Sequence, residues 1–171
     1  MDKVITAFGS GLLTSDKKLY KQITEIGKYL AENKYIVCTG GYAGTMEAIS
    51  KGAKSAGGRT YGITVSSWST LPNQYIDEET KMPNPIERLT ELIALGDAYI
   101  VFRGGTGTLV EISLTLELMN KNMMKEKKLF FFTSFWKKAV ETLKIDSDRV
   151  KGIIERNVDF FEQPQEIVGL P

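Results

Sequence analysis

Apolar positions along this chain follow two alternating rhythms, short unbroken runs and a period of three to four, from one end to the other. Residues 3–8 (Lys-Val-Ile-Thr-Ala-Phe) predict a first strand, closed by Gly9-Ser10-Gly11. Leu19, Ile23, Ile26 and Leu30 then share one helical face in a segment that ends near Asn33. Residues 35–39 predict a short strand before Gly40-Gly41. Residues 45–55 predict a helix with Met46, Ile49 and Ala53 facing inward and Gly57-Gly58 as its stop. Residues 59–65 predict a third strand. Ile86, Leu89, Leu92 and Ile93 mark one face of a helix over 86–95, and residues 98–102 form a fully apolar strand. Leu109, Ile112, Leu116 and Met119 mark a helix over 108–119. A strand at 129–133, with Phe130-Phe131-Phe132 as core, and a helix near 135–143 follow. The segment beyond Asp146 shows no clear rhythm.

Residues 66–85 break the pattern, with Pro72, Pro83 and Pro85 among polar residues and two aromatics, Trp68 and Tyr75. A loop that long in a compact domain is usually functional or mobile, so it reads as a flap beside the site. Strands apolar on both sides, separated by amphipathic helices, imply a Rossmann-like α/β fold. Its doubly wound, mainly parallel sheet carries helices on both faces, in one domain over residues 1–171. Right-handed crossovers place every strand-to-helix turn at one sheet edge, beyond which such folds bind their ligands. Three Gly-rich turns meet there: Gly9-Ser10-Gly11, Gly40-Gly41 with Gly44, and Gly104-Gly105 with Gly107.

Composition narrows the chemistry. The 171 residues carry 22 Lys+Arg against 21 Asp+Glu, a net charge of +1. That balance gives no electrostatic case for nucleic acid or an anionic membrane as partner, so any anion site must be local. No apolar run approaches the ~20 residues of a membrane span. No apolar leader precedes the first strand, and the one cysteine, Cys38, sits in an apolar run; a cytoplasmic location and a buried, unreactive thiol are expected. The chain has no histidine. Ser–His–Asp triads, Cys–His pairs and imidazole-ligated metals are therefore excluded. The Lys-rich run 121–128 reads as a solvated helix end, and no lysine sits in a convincing Schiff-base setting.

The sharpest chemical signal is Arg103-Gly104-Gly105-Thr106-Gly107-Thr108. Glycines let a backbone turn tightly against an anion, and the helix that follows offers unpaired N–H groups and its positive dipole end. The threonines add hydroxyls. The turn is not a Walker motif, because no Gly-Lys-Ser/Thr follows. Glycine also serves merely to reverse a chain. Glu111 is readable either as a ligand-side carboxylate or as the partner of Thr108 in a capping box. Arg88 is readable as an exposed ion pair with Glu87 or Glu91, or as a guanidinium clamp on phosphate or ribose. Glu47 reads as a favourable acid in the first turn of its helix.

In their order, these motifs resemble the LOG ("lonely guy") family, long mislabelled as lysine decarboxylases. Its hallmark is Pro-Gly-Gly-x-Gly-Thr-x-x-Glu, preceded by an Arg-Lys pair on the previous helix. Gly104 to Glu111 match all of it but the leading proline, which is Arg103, and Arg88 matches the arginine, with Leu89 in place of the lysine. Phe8-Gly9-Ser10 and Thr39-Gly40-Gly41-Tyr42-Ala43-Gly44-Thr45-Met46 resemble the family's first two turns. The two departures resemble a divergent branch near the molybdenum-cofactor carrier protein.

The resemblance implies hydrolysis of a nucleoside 5′-monophosphate such as AMP to free base and ribose 5-phosphate, with no cofactor, in a homodimer or higher homo-oligomer. It implies Arg88 and Glu111 as catalytic residues. Gly9, Ser10, Gly40, Gly41, Arg103, Gly104, Gly105, Thr106, Gly107 and Thr108 would hold phosphate and nucleotide. The carrier branch implies the alternative, binding of a nucleotide or of the molybdenum cofactor without turnover.

Overall fold

Runs that are apolar on both sides can be satisfied only between two layers, and here they become the centre of a sheet. The computed structural model describes residues 2–12 and 16–171. The chain runs β1 (Val4–Phe8), α1 (Lys17–Glu32), β2 (Ile36–Thr39), α2 (Thr45–Ser55), β3 (Thr60–Val65), β4 (Glu78–Met82) and α3 (Pro85–Leu95). It continues through β5 (Ala98–Val101), α4 (Thr106–Asn120), β6 (Leu129–Phe132), α5 (Lys137–Leu143), α6 (Asp148–Asn157) and β7 (Val158–Phe161). The strands form one sheet in the order β4-β3-β2-β1-β5-β6-β7, with every neighbouring pair parallel. The architecture is the Rossmann-like α/β sheet that the hydrophobic pattern implies.

Alternate side chains of the strands feed two cores. Ile5, Val37, Ile100, Phe102 and Phe130 face α1 and α2, which contribute Ile23, Ile26, Leu30, Ile49 and Ala53. Phe8, Cys38, Ile63, Tyr99 and Phe131 face the other way, against Leu92 and Ile93 of α3, Ile112 and Leu116 of α4, and Ile153 and Ile154 of α6. Burial pushes the Cys38 thiol up to about 12, so it is an inert core residue. From β1 the chain moves outward to β4, returns through α3, and pairs β5 on the free side of β1. Helices α1 and α4 therefore leave adjacent strands toward opposite faces, and a crevice opens between their turns.

Five features depart from the pattern. Residues 66–85 are not all loop: β4 adds an edge strand, in register from Tyr61↔Glu78 to Val65↔Met82. Its Glu-Glu-Thr-Lys sequence carries no apolar alternation because those residues lie exposed at the sheet margin. Polar side chains hold it instead: Thr64 Oγ1 donates to Glu79 at 2.6 Å, and Arg59 meets Glu78 at 2.7 Å. The segment past Asp146 forms α6 and the opposite edge strand, β7. Helix α4 begins at Thr106, two residues before the predicted start. Ile86 is 69% exposed, because the first turn of α3 projects past the sheet. Lys127 is not simply solvated; its Nζ donates at 2.6 Å to the carbonyl of Gly96, which ends α3.

Helices α1 and α2 approach so closely that a Cβ on Gly27 would strike the Ile49 carbonyl and one on Gly52 the Thr24 carbonyl. Helix propensity alone would make Gly52→Ala stabilising by up to ~1 kcal/mol. The packing reverses that sign: Gly52→Ala is expected to cost about 1–3 kcal/mol in urea unfolding. A variant as stable as the parent would mean that the two helices do not cross at this point.

Candidate functional site

A cleft of about 510 Å³ lies at the carboxyl edge of the sheet, over the β1/β5 crevice. The turn after β1 contributes Gly9, Ser10 and Gly11, and the start of α4 contributes Gly105, Thr106, Gly107, Thr108 and, one turn on, Glu111. Tyr42 and Met46 enter from the β2–α2 connection, Trp68 and Thr70 from the β3–β4 loop, and Arg88 from α3. The turns are joined through their backbones. Ser10 N–H donates to the Arg103 carbonyl at 3.3 Å, and Thr45 N–H donates to the Ser10 carbonyl at 2.9 Å.

The part of the cleft with groups suited to an anion follows from how α4 begins. Its cap is Gly105, which has no side chain to offer, and the first turn's closing bond runs from Leu109 N–H to the Gly105 carbonyl at 3.0 Å. The N–H groups of Thr106, Gly107 and Thr108 are thus left without intrahelical acceptors at the positive end of the helix. A Cβ built on Gly105 or Gly107 would meet nothing within 4 Å, whereas one on Gly104 would strike the side chain of Thr108. Gly104 is therefore required by the chain's own packing. Gly105 and Gly107 leave a concave space open to the cleft.

Arg88 is fixed more firmly than its neighbours. Its Nε donates to the Ile63 carbonyl at 2.7 Å and its Nη2 to the Gly40 carbonyl at 3.1 Å, which ties α3 to the ends of β3 and β2. The guanidinium lies 5.5 Å from the ring centre of Tyr42 and 5.7 Å from that of Trp68. Any side chain on Gly40 would occupy the place of Nη2. The exposed ion pair with Glu87 or Glu91 does not form: Glu87 instead accepts from Asn84 Nδ2 at 2.8 Å. Arg88 and Glu111 form no ion pair within 4.0 Å, and among the described residues Nη1 has no acceptor. Burial lowers the Arg88 pKa while the Glu111 carboxylate opposes that shift.

Glu111 is not a helix cap. With Gly105 as N-cap, Thr108 lies inside the first turn and Glu111 in the second, too far along to reach back. Among the described residues its carboxyl accepts no hydrogen bond. Burial pushes its pKa from the ordinary 4.5 up to about 8, with Arg88 pulling weakly the other way. Near neutral pH the resting group therefore carries a proton.

Of the residues singled out from sequence, Gly9, Ser10, Gly105, Thr106, Gly107, Thr108, Arg88 and Glu111 line one cleft. Gly40 and Gly41 are buried behind it, Gly40 giving room to Arg88 and Gly41 accepting Asn73 N–H at 2.8 Å. Arg103 turns away, pairing with Asp16 at 3.7 Å beside a separate depression lined by Thr133 and Phe135. The sequence singled out Tyr42 only within a glycine turn, Met46 there and as an inward helix residue, Trp68 only within the flap, and Thr70 not at all. Asn73 is the missing clue. Its amide donates to the carbonyls of Gly41 and Tyr42 at 3.0 and 2.8 Å and pins the loop over the glycine turn.

The chain is similar to several known proteins. It is 32% identical over 102 residues to an uncharacterized protein from Archaeoglobus fulgidus, covering 60% of this chain and 67% of that one. It is 27% identical over 135 residues to the pyrimidine/purine nucleotide 5′-monophosphate nucleosidase of Escherichia coli; the match takes in 74% of this chain but spans only 29% of that enzyme. The molybdenum cofactor carrier protein of Chlamydomonas reinhardtii shares the fold at a TM-score of 0.75 and 20% identity, over 96% of this chain and 92% of that one. The molybdenum cofactor binding protein of Rippkaea orientalis does so at 0.72 and 23%, with the same coverage. Among the described residues no helix is long and apolar enough to cross a membrane, and no cluster of three or more His, Cys, Asp or Glu could hold a metal ion. The SLOG cluster4 family model matches residues 2–157, so the chain belongs to that family.

Proposed function

We propose that this protein hydrolyses the N-glycosidic bond of a nucleoside 5′-monophosphate, releasing free base and ribose 5-phosphate. One observation carries the reading. A single cleft holds an uncapped helix start with open glycines and, one turn along the same helix, a half-buried carboxyl whose pKa is raised to about 8. The phosphate would take the N–H groups and hydroxyls at Thr106, Gly107 and Thr108. Glu111 would donate its proton to the departing base as the C–N bond breaks. The carboxylate it becomes would stabilise the positive charge building on the ribose. It would then take a proton from the attacking water, whose hydroxyl completes ribose 5-phosphate, and return to its starting state. Arg88 offers its free Nη1 to ribose or phosphate from a fixed position. The similarity to the E. coli nucleosidase supports this reading.

The family's homodimer is part of the proposal. Ile86 on α3 and Leu109 and Val110 on α4 are 69, 40 and 49% exposed, on the two helices that carry Arg88 and Glu111. A cytoplasmic site of action fits a nucleotide substrate. The second reading, a carrier that binds without turnover, is favoured by Leu89. It is partly buried against the core shared by α3, α4 and α6, where the family's hallmark has a lysine. Base release decides between them.

With AMP and N6-substituted AMP, the wild-type protein is expected to release free base, detected chromatographically, while Glu111→Gln binds but falls by 10²-fold or more. No release, with AMP still raising the melting temperature, would make the protein a carrier. Stability should also follow the Glu111 proton. The folded state keeps it to about pH 8 and the unfolded chain only to 4.5, so stability is full below 4.5 and falls as pH rises to about 8. Denaturant unfolding of Glu111→Gln should lack that part of the slope; coincident curves would mean an ordinary carboxyl. Gly107→Ala should raise fold stability by roughly 0.5–1 kcal/mol, since the site is helical and open, yet weaken ribose 5-phosphate binding several-fold. Unchanged binding would remove the cradle from this turn.

A further inference from the structure

The cleft has a second chemical character that phosphate does not use. Trp68 lines it with 45% of its surface exposed, a large aromatic kept in contact with water. Its ring lies 5.4 Å from that of Tyr42 at an angle of 38°, and Arg88 packs near both. Tyr42 is itself buried, its hydroxyl accepting Val65 N–H at 2.9 Å, so it cannot swing away. Trp68 sits in the first turn after β3, with its N–H donating to the Val65 carbonyl at 3.2 Å. The Asn73 bonds to Gly41 and Tyr42 hold the same loop further on. The aromatic surface is thus positioned in advance by bonds on either side of it, and Met46 adds an apolar neighbour in the same lining. Among the described residues nothing covers the exposed part of the indole.

We infer that Trp68, backed by Tyr42, is the stacking surface for the planar heterocycle of the ligand and sets a preference for two-ring bases. The inference rests on the phosphate-cradle reading, since stacking adds selectivity to a molecule that the cradle anchors. Aromatic stacking on a base is sequence-tolerant but grows with the area of the ring, so a purine gains more than a pyrimidine. The indole is held from behind by a fixed ring and a fixed cation, so little of the stacking free energy is lost to ordering it. The arrangement therefore discriminates by the base, while the start of α4 recognises the phosphate that all such ligands share.

The test compares AMP, UMP and ribose 5-phosphate by calorimetric titration of wild type, Trp68→Ala and Trp68→Phe. Wild type should bind AMP about tenfold or more tighter than ribose 5-phosphate, with UMP between them. Trp68→Ala should bring AMP to the level of ribose 5-phosphate while leaving ribose 5-phosphate itself unchanged, and Trp68→Phe should keep most of the preference. Fluorescence gives an independent readout. The second tryptophan, Trp136, is buried with its Nε1 donating to the Phe102 carbonyl, so quenching by AMP should come from Trp68 and vanish in Trp68→Phe. An AMP preference that survives Trp68→Ala would overturn the stacking role and leave the cradle standing. Failure of wild type to bind any of the three would overturn the cradle and the stacking role together.

Discussion

The candidate site at the carboxyl edge of this sheet depends on a half-buried cation whose partners are carbonyls, not carboxylates. Parallel strands end with backbone oxygens that their neighbours cannot satisfy, and Arg88 takes two of them, from Ile63 and Gly40. The guanidinium is the suited group, since its fork reaches two acceptors at once and keeps its charge when buried. Anchoring it this way has a consequence for Glu111. An Arg88–Glu111 ion pair would have held that carboxyl ionised. With the guanidinium committed to backbone, burial outweighs attraction and the acid keeps its proton. The same anchor supports Tyr42 and Trp68, whose rings flank the guanidinium. One side chain therefore sets the charge state of one wall of the cleft and the position of the other.

The rest of the site is built from main chain. The Gly9, Gly40 and Gly104 turns come from three different strands, yet Ser10 links the first to the other two through its N–H and its carbonyl. Asn73 then ties the β3–β4 loop to the middle turn. Backbone geometry varies less than side-chain rotamers, so such a network fixes its surface more sharply than side-chain contacts could. It also explains why a long, proline-containing loop can present Trp68 in one place.

What the sequence made legible follows burial closely. Strands β1, β2, β3, β5 and β6 and helices α1 to α4 were readable because each buries apolar side chains on a period that the chain repeats. The edge strands were not. β4 is exposed over four of its five residues and is held by ion pairs and hydrogen bonds, for which no periodic signal exists. β7, at the opposite margin, is exposed at two of four. The glycine turns were legible as a set because topology gathers them at one edge. Arg88 could be placed near the site but not bonded, since its acceptors are main-chain atoms that any residue would supply. Trp68 carried no motif, and Tyr42 stood in one only as part of a glycine turn. Their pairing emerges only from the distance between rings 26 positions apart in the chain.

The start of α4 shows why the register of a helix matters. Had Thr108 rather than Gly105 been the N-cap, Glu111 would have closed a capping box and used its carboxyl on a backbone N–H group. Capped at Gly105, it carries Glu111 into the second turn, where the carboxyl is half-buried and has no hydrogen-bond donor among the described residues. Gly105 and Gly107 belong to the same account. Every other glycine described here either has a neighbour within 4 Å of a would-be Cβ or adopts a positive φ that favours glycine. These two have neither, and one lies inside a helix, where glycine costs about 1 kcal/mol relative to alanine. The chain's own packing and conformation give no reason for glycine at these places. A ligand that needs the space, pressed against bare N–H groups, does, and it would sit one helical turn from the acid that the same register leaves protonated.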